Sequence, residues 1–122
     1  MAQVLVVDDS NTMREIVSTF LSQNGFEVAV ANDGRDGLQR LQDDPAIRLV
    51  VSDINMPNMD GLTMAEKIRT ELGNTAVRIV MLTTEDNAGM RARAKDIGIT
   101  GWIVKPFRGE AVLGPFRKLC GM

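Results

Sequence analysis

Four short apolar runs, each followed at once by polar side chains, constrain the fold more than any other feature of the sequence. The runs are rich in β-branched residues and lack polar alternation, which is typical of strands buried on both faces of a sheet. Because the carboxyl ends of parallel strands line one crevice, polar residues that are distant in sequence can meet there. The runs are residues 4–7, 49–51, 79–82 and 102–104, and the groups that follow them are Asp8-Asp9, Asp53 with Asn55, Thr83-Thr84 and Lys105.

Segments with helical periodicity separate these strands. Residues 10–24 repeat apolar side chains on one face, Thr12 and Glu15 have the spacing of a capping box, and Gly25 provides a stop. Residues 26–31 are predicted as a further strand. A weak helix ending before Pro45, a helix capped by Asp60 and ending before Gly73, a helix over residues 87–97 and a terminal helix complete the pattern. Strands and helices alternate five times, which predicts an α/β parallel sheet covered on both faces.

Composition limits the class of function. The chain of 122 residues is predicted to be one domain. Its net charge of -2 comes from interspersed acidic and basic residues, which argues against nucleic-acid binding. The sequence lacks an apolar run of about 18 residues and a signal peptide, so we expect a cytoplasmic protein without a membrane partner. The lone Cys120 cannot form an internal disulfide, and the absence of histidine means that any phosphohistidine belongs to another molecule.

The acidic residues at the strand ends favour a divalent cation. Asp8, Asp9 and Asp53 would place three negative charges in one crevice, and their repulsion would raise carboxylate pKa values unless a cation were present. Mg²⁺ prefers oxygen ligands and retains water, so carboxylates together with phosphoryl oxygens suit it. Carboxylates also serve as phosphoryl acceptors in proteins. The sequence therefore predicts a phosphoryl-accepting magnesium site.

Three motifs carry a resemblance that extends over the whole chain. Residues 6–10 (Val-Val-Asp-Asp-Ser), 53–61 (Asp-Ile-Asn-Met-Pro-Asn-Met-Asp-Gly) and 104–107 (Val-Lys-Pro-Phe) resemble the receiver domain of two-component response regulators. The resemblance is greatest to the stand-alone, CheY-like chemotaxis type. It implies a doubly wound, flavodoxin-like sheet of five parallel strands in the order 2-1-3-4-5, with five helices. It also implies that residues 1–122 form one receiver domain without a separate effector domain.

The resemblance further implies a role for each residue of the motifs. Asp53 would be the phosphoacceptor, supported by Lys105, Thr83 and Thr84. The metal ligands would be Asp9, Asp53, the Asn55 carbonyl and, through water, Asp8. Trp102 would be the aromatic switch residue that moves together with Thr83. Asn55 and Glu85 stand at positions that tune hydrolysis of the phosphoryl group.

The implied partners follow from the same family. A histidine kinase would donate the phosphoryl group, and an output protein, with the flagellar motor switch as a candidate, would read the phosphorylated state. A phosphatase is a further candidate partner, and the chain is expected to be a monomer. It would be a signalling switch that phosphorylates and dephosphorylates only itself, and not an enzyme that acts on other substrates.

Several alternatives stay open at this stage. Asp8-Asp9 also suits a simple helix cap, Lys105 a solvated strand end, and Trp102 plain core packing. The chain could also serve as a phosphorelay intermediate. A magnesium-dependent phosphatase with an aspartate nucleophile would need a second acid where Asn55 stands, and a flavin module would need a phosphate cradle where Asp8-Asp9 stands.

Three positions carry separate structural expectations. Trp102 stands where the family usually has tyrosine or phenylalanine, so the extent of its rotation is an open question. The family suggests a cis peptide at Lys105-Pro106. Gly114-Pro115 interrupts the apolar pattern of the last helix and predicts a kink or break there, because an interior proline removes one hydrogen bond and clashes with the preceding turn.

Overall fold

Strands and helices alternate along the chain in the computed structural model, which describes residues 2–122. All strands are parallel, and the sheet has the order β2-β1-β3-β4-β5, as predicted. The elements are β1 Val4–Val7, α1 Asn11–Gln23, β2 Val28–Ala31, α2 Gly34–Asp43, β3 Leu49–Ser52, α3 Gly61–Arg69, β4 Arg78–Thr83, α4 Ala88–Ile97, β5 Gly101–Val104 and α5 Gly109–Leu119. No helix within residues 2–122 is both long enough and apolar enough to cross a membrane.

The core lies in two layers, one on each face of the sheet. Every residue of β1 and β3 is buried, and alternate side chains of β1 enter opposite layers. Leu5 and Val7 pack with α2, α3 and α4, whereas Val4 and Val6 pack with α1 and α5. This arrangement explains why the central strands are apolar without alternation, since neither face meets water.

The fourth apolar run of the sequence differs from the other three. β5 is an edge strand, its residues are only partly buried, and Val104 is 42 % exposed. The prediction of a fully buried strand is therefore wrong for residues 102–104. The apolar run alone does not reveal which strand has a neighbour on one side only.

The start of α1 also differs from the prediction. Ser10, and not Thr12, caps the helix, and its hydroxyl accepts a hydrogen bond from the Met13 amide at 3.2 Å. Ile16 is 49 % exposed, so the buried face of α1 is narrower than the face that its apolar pattern predicts. The predicted cap at Asp60 is confirmed, because its carboxylate accepts a bond from the Thr63 amide. Asn87, the predicted first residue of the fourth helix, is its cap and accepts a bond from the Met90 amide.

Helix α5 continues through Pro115, so the chain does not break at Gly114-Pro115, and of the predicted kink or break only the kink stays a prediction. Gly114 has no Cβ to collide with the proline ring, which is the clash that normally drives a residue before proline out of the helical region. Both residues are exposed, as is Ala111, whose carbonyl would have accepted the missing bond. Water can satisfy that carbonyl at the surface. The Lys105-Pro106 peptide is cis, as the resemblance suggested.

Candidate functional site

The ends of β1 and β3 bring the acidic residues of the sequence together. Asp8 and Asp9 follow β1, Asp53 follows β3, and the two strands are direct neighbours in the sheet. One carboxylate oxygen from each of the three residues lies within 4.8 Å of the others. Asp8 is buried, Asp53 is partly buried and Asp9 is exposed, so the cluster reaches from the protein interior to the surface.

Lys105 enters this acidic cluster from the end of β5. Its ammonium nitrogen Nζ lies 3.1 Å from Asp53 Oδ2 and 3.4 Å from Asp8 Oδ2. All three side chains are largely shielded from water, with exposed fractions of 16 % for Lys105, 12 % for Asp53 and 5 % for Asp8. At such sites charges interact more strongly than at the surface, and the removal of one partner leaves another charge uncompensated.

Burial controls the electrostatics of Asp8. Loss of hydration raises the pKa of Asp8 above its ordinary value, although the Ser10 amide and the charge of Lys105 act in the opposite direction. Burial alone would lower the pKa of Lys105. Its hydrogen bond to Asp53 and the charges of Asp8 and Asp53 outweigh that effect and raise the pKa of Lys105. The lysine is therefore a fixed cation at neutral pH.

The donor set of this crevice fits a hard divalent cation. Asp8, Asp9 and Asp53 offer carboxylate oxygens, whereas Lys105 is the only cation in an ion pair with them among the described residues. One positive charge does not balance three carboxylates, and Mg²⁺ would add the missing charge with the oxygen ligands that it prefers. The residues present therefore suit magnesium.

The two threonines at the end of β4 and Asn55, which stands two residues after Asp53, have different environments. Thr83, the last residue of β4, is completely buried, and its Oγ1 accepts a hydrogen bond from the Glu85 amide at 3.1 Å. Thr84 is exposed. The side-chain amide of Asn55 is also exposed and donates to Glu85 Oε1 at 2.7 Å. The chemical roles of Asn55, Thr83 and Thr84 stay a prediction.

Glu85 joins these residues to the predicted switch residue. The indole nitrogen Nε1 of Trp102 donates to the Glu85 carbonyl at 3.0 Å, and the Arg91 guanidinium lies 5.3 Å from the ring centroid. Glu85 thus contacts Asn55 through its carboxylate, Thr83 through its amide and Trp102 through its carbonyl. The sequence had singled out Glu85 by resemblance alone, and its connecting position follows from the short turn after Thr83.

Two further contacts hold the loops around the crevice. Arg14 Nη1 donates to the Asp8 carbonyl at 2.7 Å, so a residue of the first turn of α1 supports the loop that contains two of the acids. Asn58 adopts a left-handed conformation (φ 68°) and donates to Asp33 Oδ2 at 2.8 Å. Neither contact was predicted. A signal for the Arg14 contact was present in the sequence, because an arginine stands six residues after the first acid of the Asp8-Asp9-Ser10 motif.

Comparison with known proteins supports one family. A family model described as the response regulator receiver domain matches residues 4–114. The chain is 37 % identical over 111 residues to the chemotaxis protein CheY1 of Helicobacter pylori, covering 90 % of each protein. It is 32 % identical over 120 residues to a probable chemotaxis protein CheY of Rhizobium etli, covering 98 % of this chain and 92 % of that protein.

Solved structures agree with the sequence relatives. The chemotaxis protein CheY4 of Vibrio cholerae superposes with a TM-score of 0.88 at 39 % identity, covering 98 % of both chains. A chain from a CheX-CheY-BeF3-Mg²⁺ complex of Borrelia burgdorferi gives a TM-score of 0.86 at 28 % identity, covering 95 % of this chain and 87 % of that one. Together with its sheet order and the residues at its strand ends, these matches show that the chain belongs to the response regulator receiver domain family, with CheY-like chemotaxis proteins among its relatives.

Proposed function

We propose that this chain is a stand-alone signalling switch that accepts a phosphoryl group on Asp53. The observation that carries the proposal is the position of Lys105, whose Nζ lies 3.1 Å from Asp53 Oδ2 within a cluster of three carboxylates. A lysine held at a reacting carboxylate can stabilise the charge that arrives with a phosphoryl group. Membership of the receiver family supports the same assignment.

The reaction needs no group in this chain to act as a proton carrier. A carboxylate oxygen of Asp53 attacks the phosphorus of a phosphohistidine on a partner kinase. The new P–O bond forms as the P–N bond breaks, and the imidazole leaves with the bonding electrons and a proton from solvent. The donor must be another molecule because the chain contains no histidine. Positioning and charge stabilisation account for most of the catalysis in such transfers.

Magnesium completes the proposed site. Asp9, Asp53, the Asn55 carbonyl and, through water, Asp8 would hold the ion, and Mg²⁺ supplies neutralisation of charge on the transferring phosphoryl group. Lys105 then pairs with a phosphoryl oxygen while it stays close to Asp53. The hydroxyl of Thr83 and the amide of Thr84 donate the remaining hydrogen bonds. The chain's relative from Borrelia burgdorferi was solved with BeF3 and Mg²⁺, which supports the choice of ion.

Glu85 transmits the change at the phosphorylated site to Trp102. When the Thr83 hydroxyl turns to the phosphoryl group, it gives up its bond with the Glu85 amide, which lies two residues from it. The Glu85 carbonyl holds the Trp102 ring, so the change reaches the surface formed by α4, β5 and α5. A switch of this kind shifts between two populations, and the phosphoryl group selects the state that it contacts better.

The relatives suggest the pathway. Proteins similar to this chain act in chemotaxis, which favours a cytoplasmic, monomeric regulator with a histidine kinase as donor and the flagellar motor switch as output. A complex of a related chain with CheX is a reason to include an accessory protein, such as a phosphatase, among the partners. The alternative role as a phosphorelay intermediate would require transfer from Asp53 to a histidine of a further protein.

A small phosphoryl donor tests the proposal directly. We expect acetyl phosphate with Mg²⁺ to add one phosphoryl mass to the intact protein and to change Trp102 fluorescence. Asp53→Asn should show neither effect, while the matched surface variant Asp43→Asn, whose exposed carboxylate lies on α2, should behave as the wild type. Equal phosphorylation of Asp53→Asn, or an unmodified wild-type protein, would refute the assignment of Asp53.

A further inference from the structure

Arg14 donates to the loop that carries two acids of the candidate metal site, although within residues 2–122 it forms no hydrogen bond or ion pair with a carboxylate there. The loop after β1 carries Asp8 and Asp9, and the first turn of α1 follows it directly. Within the described residues, the side-chain bonds of Arg14 go to the Asp8 carbonyl at 2.7 Å and to Asn11 Oδ1. Its own amide donates to the Ser10 carbonyl at 2.9 Å. Arg14 therefore connects the loop after β1 to the first turn of α1 through three hydrogen bonds.

The contact with Asp8 has a consequence for Asp9. The carbonyl of Asp8 and the amide of Asp9 belong to one planar peptide unit, which also contains the Cα of Asp9. A guanidinium that fixes this carbonyl therefore fixes the position of the Asp9 Cα, the atom from which the side chain departs. Asp8 is tied down independently, because its carboxylate accepts bonds from the Ser10 amide at 2.9 Å and from Lys105 at 3.4 Å.

Asp9 has no comparable anchor of its own. Its carboxylate is exposed, and no hydrogen bond or ion pair holds it within the part of the chain that the structure describes. Its place in the acidic cluster is thus set by the backbone that carries it. That backbone is held by Arg14, whose planar fork can bind two acceptors at once.

We propose that Arg14 is a positioning residue for the divalent metal site, acting through the Asp8-Asp9 peptide unit on the carboxylate of Asp9. This inference rests on the proposed function, because it assigns Asp9 as a ligand of Mg²⁺. Residues that orient metal ligands typically contribute about 10-fold to 100-fold in metal affinity. The charge of Arg14 has the opposite effect, since a cation near the site repels a second cation.

These opposing effects make the proposal testable with two substitutions. Arg14→Lys keeps the charge and loses the fork, so we expect its Mg²⁺ affinity to fall about 10-fold. Arg14→Gln loses the charge as well, and simple electrostatics alone would make it bind Mg²⁺ more tightly than the wild type. We expect weaker binding by Arg14→Gln, because loss of position outweighs loss of repulsion.

Thermal unfolding across a magnesium series measures affinity and stability in the same samples. A ligand that binds only the folded state raises the melting temperature by an amount that grows with the logarithm of its concentration divided by its dissociation constant, whereas the melting temperature in EDTA reports stability without metal. Each Arg14 variant is compared with wild type, with Asp9→Asn and with the remote control Arg40→Gln, whose arginine pairs with Asp36 on the surface of α2. The expected order of magnesium response is wild type and Arg40→Gln first, then the Arg14 variants, then Asp9→Asn.

The failures of the two proposals give different results. If the wild type shows no magnesium response, or if Asp9→Asn responds like the wild type, the proposed metal site itself is wrong. If the wild type responds and Asp9→Asn does not, but both Arg14 variants respond as strongly as the wild type, the positioning role is overturned. A stronger response of Arg14→Gln would likewise overturn it and assign Arg14 a purely electrostatic effect. An Arg14 variant that melts lower in EDTA and keeps the wild-type affinity would show a structural role only.

Discussion

The inner strands and the β5 side of this domain support the same crevice in different ways. The inner part consists of β1, β3 and the loops that follow them, and every residue of both strands is buried. The outer part consists of α4, β5 and α5. There the edge strand is partly exposed, and a cavity of about 540 Å³ opens between β5 and α5.

This difference separates two requirements of a switch. The inner part holds the acidic residues, and the proposed binding of a cation and a phosphoryl group requires their positions to be fixed in advance. The outer part contains Trp102, which two contacts at its ring hold in place, the bond to Glu85 and the cation–π contact with Arg91. Segments that move in a response come from the less stable parts of a fold. We therefore expect substitutions in the inner part to cost stability and those in the outer part to change the response.

Substitutions of two glycines should give the largest difference between these parts in the free energy of unfolding. A Cβ added at Gly61 would lie 2.1 Å from the carbonyl oxygen of Asp53, so the backbone of the loop after β3 would have to move. We expect Gly61→Ala to lower the free energy of unfolding by about 3 kcal/mol, at the upper end for overpacking. The measurement is urea unfolding at neutral pH.

Gly89 in α4 is the matched control. The nearest atom to an added Cβ there is Asn87 Oδ1 at 3.5 Å, an ordinary contact distance. Because alanine favours the helix, Gly89→Ala should stabilise the protein by about 0.5 kcal/mol. Equal losses at both glycines would remove the distinction between the two parts.

The same contrast explains how much of the fold was predictable from the sequence. The central strands were recognisable because burial on both faces makes a strand continuously apolar, as in β1 and β3. Edge position is a property of strand order, so the exposure of Val104 had no signature in its own run. Helix α5 passes through Pro115 because the preceding Gly114 has no Cβ to clash with the proline ring, an effect that the apolar pattern does not describe.

The candidate site was predictable to a similar extent. Asp8, Asp53 and Lys105 could be expected to meet because each follows a strand of one parallel sheet. The supporting contacts were harder to foresee, because Arg14 reaches back from a helix and Asn58 depends on a left-handed backbone. Such contacts arise from the path of the loops, which a pattern of apolar residues does not describe.

Arg69 connects α3 to the end of α4 in the outer part and gives the next largest effect. Its guanidinium donates to the carbonyls of Val77 at 2.6 Å, Gly98 at 2.9 Å and Asn74 at 3.0 Å, with a longer bond to Ile97 at 3.3 Å. Burial lowers the pKa of Arg69, and the charge of Arg78 lowers it further.

Removal of this guanidinium should leave several carbonyls without a partner. We expect Arg69→Met, which keeps the aliphatic bulk, to cost about 2 kcal/mol in urea unfolding. The control Arg93→Met removes an exposed arginine that pairs with Glu66 at 3.2 Å, and its cost should stay within about 0.5 kcal/mol. Similar losses for both variants would mean that Arg69 does not join α3 to α4 as the contacts indicate.

Arg91 tests the outer part alone. Its guanidinium lies 5.3 Å from the centroid of the Trp102 ring and also pairs with Asp86 at 2.6 Å. We expect Arg91→Gln to lower stability by less than about 1 kcal/mol, because cation–π contacts at exposed sites are weak. Trp102 should nevertheless become more mobile, seen as lower fluorescence anisotropy of the indole. Lys95→Gln, on the same helix, should leave the anisotropy unchanged, and an unchanged value in Arg91→Gln would show that Arg91 does not restrain the ring.

Substitution of Asp33 gives the smallest expected change in stability. Because Asp33 holds Asn58 in the loop after β3, the pH dependence of this change tests the inner part. Its carboxylate accepts bonds from the Asp36 amide at 2.9 Å and from Asn58 at 2.8 Å, and these bonds lower the pKa of Asp33 below its ordinary value of 3.8. A carboxyl group whose pKa is lower in the folded state than in the unfolded state stabilises the fold at pH values above its unfolded-state pKa. This stabilisation is lost as the pH falls through the folded-state pKa.

Asparagine caps a helix about as well as aspartate, so Asp33→Asn isolates the effect of the charge. We expect the variant to be less stable than the wild type by about 0.5 kcal/mol at neutral pH, where the carboxylate also favours the amino end of α2. The difference should shrink toward zero as the pH is lowered below 3.8. Asp86→Asn, which removes an exposed carboxylate just before α4, should show a smaller difference at neutral pH. If the deficit of Asp33→Asn stayed constant down to low pH, its origin would be packing, and the loop after Asp53 would be held by the left-handed turn at Asn58 without help from the charge.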